Sequence, residues 1–94
     1  MMKLPVLYDS LGPKEKKRVR EEYISRQGGL CMFCKYNIKE KPPEHILETK
    51  INTTLFPNNF FKYPIHLQHD HNTGWTEGAV HAYCNAIMWQ YLGR

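Results

Sequence analysis

The sequence predicts a small α+β domain in which an N-terminal helix precedes a two-strand hairpin and a closing helix. Three observations carry this expectation. A helical stripe follows Pro13 and stops at Gly28-Gly29; apolar and polar residues alternate from Ile65 to His69 ahead of a turn at Asn72-Thr73-Gly74; and short-spaced Cys and His pairs bracket that hairpin. A chain of 94 residues makes one domain, residues 1–94, and one this short buries a smaller share of its surface than an average domain does. The apolar fraction of 41% is ordinary, but the long side chains fall in clusters interrupted by Pro, Gly and Asn, so the fold is expected to need a staple.

The first helix is placed within residues 10–28, with Pro13 at a first helical position and Val19, Tyr23, Ile24 and Gln27 as its inward stripe. Lys14, Lys16, Lys17, Arg18 and Arg20 bring five cations into seven residues near its start, where they oppose the helix dipole. Phosphate contact would offset that cost, and a solvated helix face is the alternative. Residues 35–64 show no clean period and read as a long irregular excursion, with one short strand or helix near 45–56 and with Phe60, Phe61 and Tyr63 covering the core. In the strand that follows, alternation puts Ile65, Leu67 and His69 on one face and His66, Gln68 and Asp70 on the other. A second strand is expected from Trp75 to about Val80, and a last helix from Asn85 or Ala86 to about Tyr91. Trp75, Tyr83, Trp89 and Tyr91 read as core and metal-site cover, and His45 and His66 as structural or surface residues.

Cys31-Met32-Phe33-Cys34 is a C-x2-C pair after a Gly-Gly turn, and His81-Ala82-Tyr83-Cys84 is an H-x2-C pair beyond the hairpin. Two-residue spacers let Cys31, Cys34, His81 and Cys84 converge on one ion, and thiolate with imidazole favours structural Zn²⁺ over oxygen-seeking cations. A zinc-bound core would then span residues 30–92. Buried apolar cysteines or a redox C-x2-C are the alternatives, the second without the βαβ setting it needs. Three cysteines cannot all pair internally and no signal-like leader is visible, so a cytoplasmic protein is expected, in a host cell if the chain is phage-encoded. No run is long enough to span a bilayer. The net charge of +4 and pI near 9.0 are compatible with a polyanionic partner.

The run His69-Asp70-His71-Asn72-Thr73-Gly74, through Gly78 to Cys84-Asn85, resembles the phage recombination endonuclease VII family of HNH nucleases, the ββα-metal or His-Me finger group. Members typically carry an Asp-His-x-His-x-Thr-Gly hairpin, an Arg-Gly on the second strand, a C-x2-C-Asn and an upstream zinc C-x2-C. Three positions depart from that pattern: His81 replaces a cysteine, Glu77 the arginine, and Gln68 the aspartate before the first histidine. The resemblance implies a zinc-stapled ββα-metal domain that cuts DNA. His69 would be its general base, His71 would position metal or phosphate, and Asn85, with or without Gln68, would hold one Mg²⁺ or Mn²⁺. Asp70 is left to orientation or to turn formation. DNA is the expected partner, with the cations at 14–20 on phosphates and specificity supplied by DNA shape, a partner protein or a homodimer. Homing, nicking and junction-cleaving activities all fit. The rival expectation is a catalytically silent zinc module that binds nucleic acid or protein, and Gln68 and Glu77 speak for it.

Overall fold

A computed structural model describes residues 2–93. Helix α1 spans Pro13–Arg26, the one-turn helix α2 Glu44–Leu47, strand β1 Ile65–His69, strand β2 Thr76–His81, and helix α3 Ala82–Leu92. Short 3-10 turns occupy Tyr8–Ser10 and Thr53–Leu55.

Pro13 opens α1 with a preset φ, and the Glu15 carboxylate accepts the Gly12 N–H at 3.2 Å, satisfying a donor that the helix itself leaves over. The helix stops where Gly28 and Gly29 take φ of 67° and 79°, a region side chains resist. Only Val19 is buried along α1; Tyr23 and Ile24 are half-buried, so the helix rests lightly on the sheet. Two polar anchors hold it there. The Tyr23 hydroxyl lies 2.9 Å from Thr76 Oγ1. Gln27 accepts the Ala79 N–H at 2.9 Å and donates to the Ala79 carbonyl at 3.0 Å, standing in for a neighbouring strand.

β1 and β2 pair antiparallel, Ile65 opposite His81 and Gln68 opposite Gly78, and the register then shifts so that His69 faces Thr76. Glu77 is the extra residue of this bulge. A lone hairpin is marginal in water. Here the outer edge of β2 is paired as well: Thr76 N–H donates to the Val6 carbonyl at 2.9 Å, and Met32 N–H to that of Ala79 at 3.0 Å. At the tip, Asp70 Oδ1 accepts the N–H groups of Asn72 at 2.7 Å and Thr73 at 3.0 Å, the turn-forming role open to it from sequence. Gly78 is fixed by packing: a Cβ there would lie 2.6 Å from Met32 Sδ and 2.9 Å from Gln27 Oε1.

The core gathers Cys31, Ile38, Ile46, Ala79, Val80, Cys84, Ile87 and Met88. Two thiols and an alanine among them leave few large apolar groups, in keeping with the core-poor sequence. α3 starts three residues earlier than the expected Asn85, because one helical turn from the cap residue His81 is what brings Cys84 back beside it. Asn85 therefore lies within the first turns of α3 and does not cap it. The aromatic cover is thinner than expected: Trp75, Trp89 and Tyr91 are exposed, as are Phe61 and Tyr63, while Tyr83 and Phe60 are half-buried. Among the described residues no helix is long and apolar enough to cross a membrane.

Candidate functional site

The ligand atoms of Cys31, Cys34, His81 and Cys84 lie within 4.8 Å of one another, in a group that could hold a metal ion. Cys31 and Cys34 sit in a knuckle closed by bonds from Cys31 N–H to the Tyr36 carbonyl at 2.8 Å and from Lys35 N–H to the Cys31 carbonyl at 3.0 Å. Lys35 takes the left-handed φ of 66° that so tight a return requires. His81 ends β2 and Cys84 lies one turn into α3. His81 Nδ1 is 3.4 Å from Cys34 Sγ and 3.6 Å from Cys84 Sγ. Bonds of about 2.3 Å to sulfur and about 2.0–2.1 Å to nitrogen around a tetrahedral zinc put neighbouring ligands about 3.5–3.8 Å apart, so the spacing fits that ion. The far nitrogen of His81 meets the carbonyls of Glu40 at 2.8 Å and Asn37 at 3.0 Å. It must donate there, which leaves Nδ1 as a lone pair aimed at the sulfurs. The thiols also resist sharing the space with one another. The Cys84 thiol pulls the pKa of Cys31 down, whereas its hydrogen bond with Cys31 and burial push that of Cys84 up. A divalent cation removes this conflict by ionising the thiols together.

A second constellation lies in a cleft of about 550 Å³ lined by His66, Gln68, His69, His71 and Asn85, with Lys16 and Arg20 of α1 on its rim. Strict alternation separates His69 from His66 and Gln68, yet all three line one cleft, together with Ile65 and Leu67 of the same strand. His69 is half-buried, its ring stacked on Tyr8 with centroids 3.9 Å apart and planes 11° from parallel, and its centroid is 4.6 Å from that of His71. Burial, then the charge of His71, pushes its pKa below the usual imidazole value; Lys16 adds to the push, and Asp9 and Glu77 oppose it. The imidazole is thus neutral near neutral pH, the form that accepts a proton.

Asn85 points to His66, a residue that reads from sequence as structural or surface. Its amide nitrogen lies 3.0 Å from His66 Nδ1, and His66 Nε2 lies 2.8 Å from the Phe60 carbonyl. Nε2–H therefore donates and Nδ1 accepts, a neutral tautomer in keeping with a pKa lowered mainly by burial. The signal for His66 is the alternation, which puts it on the same strand face as Gln68. Gln68 is almost fully buried, its amide donating to the His69 carbonyl at 3.1 Å and to Glu77 Oε1 at 3.3 Å. Glu77 and Gln68 thus sit side by side, with the carboxylate on β2 and the amide on β1. The basic cluster divides: Lys16 and Arg20, four apart, face the cleft, whereas Lys14, Lys17 and Arg18 are exposed and do not line it.

Among the described residues that line the cleft none is Asp or Glu. An ion there would find amide oxygens and imidazole nitrogens. That donor set suits a transition-metal ion better than Mg²⁺, which usually keeps one or two carboxylates. Comparison with protein families, with characterised proteins and with solved structures gives no match for this chain.

Proposed function

We propose that the protein is a metal-dependent endonuclease that hydrolyses phosphodiester bonds in DNA, and that Cys31, Cys34, His81 and Cys84 hold a structural zinc ion. One observation carries the catalytic part. A neutral imidazole of β1, amides of β1 and α3 and two cations of α1 converge on one open cleft. In this reading Lys16 and Arg20 hold backbone phosphates at the rim. His69 accepts the proton of the attacking water, and His71 orients the phosphate. Asn85 and Gln68 offer amide oxygens to a divalent ion, and His66 fixes the orientation of Asn85 through its hydrogen bond. When bound, that ion would supply charge stabilisation for the transferring phosphate and its leaving oxygen. The lack of a cleft carboxylate predicts weak ion binding, with Mn²⁺ or Ni²⁺ supporting turnover at lower concentration than Mg²⁺.

The test is to incubate purified protein with linear, supercoiled and branched DNA in EDTA, Mg²⁺, Mn²⁺ and Ni²⁺. Cleavage should need added metal and should fall by about 10²- to 10⁴-fold in His69→Ala, with zinc content and fold retained. The absence of carboxylates also favours a second reading, a silent zinc module that binds nucleic acid or protein. DNA binding without cleavage under any of these metals selects it.

A further inference from the structure

The three histidines with described ring contacts on the hairpin strands are held in two different ways. His66 and His81 have both ring nitrogens within hydrogen-bond reach of protein groups. Among the described residues no protein group hydrogen-bonds the ring nitrogens of His69; its ring is held through its faces, by Tyr8 at 3.9 Å and His71 at 4.6 Å. A histidine that must take a proton from water needs one ring nitrogen unoccupied and its plane fixed, and a stacked ring supplies the second without costing the first.

Tyr8 is built to be that stack. It lies outside the hairpin, yet its backbone is tied to the hairpin tip: Tyr8 N–H donates to the Gly74 carbonyl at 2.8 Å, Leu7 bridges Trp75, and Val6 exchanges bonds with Thr76 in both directions. Those bonds hold the segment without help from the tyrosine ring. One face of the ring carries His69 nearly parallel, so the Lys16 ammonium, 4.3 Å from the ring centroid, takes the other. The order is Lys16, Tyr8, His69, from α1 through the N-terminal segment to the turn end of β1, and all three line the cleft. Tilting the imidazole out of this plane about its bond to Cβ would break the parallel contact, so the stack fixes the plane in which the ring nitrogens lie.

We infer that Tyr8 is a positioning residue that clamps His69 in the plane from which it serves the cleft, with Lys16 bracing the far side of the clamp. This rests on the nuclease reading for its catalytic consequence, but not for the clamp itself. Tyr8→Leu keeps apolar bulk and the backbone bonds but removes the aromatic face; Tyr8→Phe restores the face. In histidine-ring NMR of the zinc-loaded protein, the His69 carbon-bound protons should show an upfield ring-current shift in wild type and Tyr8→Phe, and lose it in Tyr8→Leu. With Mn²⁺ and DNA, Tyr8→Leu should lower kcat by about 10- to 100-fold with KM unchanged, and Tyr8→Phe should recover it, since a small misplacement of a reacting group costs that much. Unchanged His69 shifts in Tyr8→Leu overturn the clamp. Wild-type or higher kcat in Tyr8→Leu overturns its positioning role. If wild-type protein cleaves nothing, the nuclease reading falls, and the NMR comparison still decides whether the clamp exists.

Discussion

The cysteine-histidine cluster and the cleft both draw on the same hairpin, yet they are assembled by different physics. The cluster is made from two local spacings, a knuckle and one helical turn, and is closed by backbone groups: three of its residues are buried, and His81 spends its second nitrogen on the carbonyls of Asn37 and Glu40. The cleft has no such local unit. Tyr8 reaches His69, Asn85 reaches His66, and Arg20 and Lys16 arrive on a third element. The backbone of its own fold thus satisfies the outer nitrogen of His81 in the cluster, while in the cleft no protein group among the described residues hydrogen-bonds the ring nitrogens of His69.

The largest expected effect tests the satisfied half. Cys84→Ala, or chelation of zinc at neutral pH, should unfold the domain, because structural zinc contributes roughly 10–16 kcal/mol in small zinc-dependent folds and this core has little else. Far-UV circular dichroism with elemental analysis reads the outcome. A folded, zinc-free Cys84→Ala protein would erase the contrast between the two regions. A smaller effect probes the seam between them. Gly78→Ala pushes a methyl into Met32 of the knuckle and Gln27 of α1, and should cost about 1–3 kcal/mol in urea titrations. No loss would mean that knuckle and helix yield independently. The smallest concerns the rim. Reversing the charges of Lys16 and Arg20 should flatten the slope of log affinity for DNA against log salt by about 2, at roughly 0.9 for each phosphate no longer neutralised. Reversing Lys14, Lys17 and Arg18 should leave it nearly unchanged, and equal effects from both sets would return the whole helix face to diffuse attraction.

What is legible in the sequence follows the same division. Helix α1, both strands and the thiol cluster rest on short-range signals: a Pro-to-Gly span, alternation over five residues, paired spacers. The start of α3 is misread from sequence because Asn85 has a good cap side chain, whereas the structure uses the turn from His81 to Cys84 to gather ligands. His66 escapes notice because its partners, the Phe60 carbonyl and Asn85, come from an irregular segment and a later helix. Tyr8 has no signal at all. Nothing in the spacing between residue 8 and residue 69 announces a stack; it follows from pairing Val6 with Thr76, which is a tertiary event. The bulge at Glu77 is equally silent in composition, yet it sets His69 opposite Thr76.

The side-chain amide of Gln27 has a consequence for assembly. A strand ordinarily offers its open side to any chain that can lie alongside, the route by which sheets grow from one molecule to the next. Along β2 that invitation is withdrawn at every bonding position described: Val6 occupies Thr76, and Gln27 and Met32 share Ala79. Three unrelated stretches of chain would have to leave before a newcomer could dock there. Growth of the sheet from β2 into a second molecule is therefore blocked at Thr76 and Ala79 by the protein's own chain.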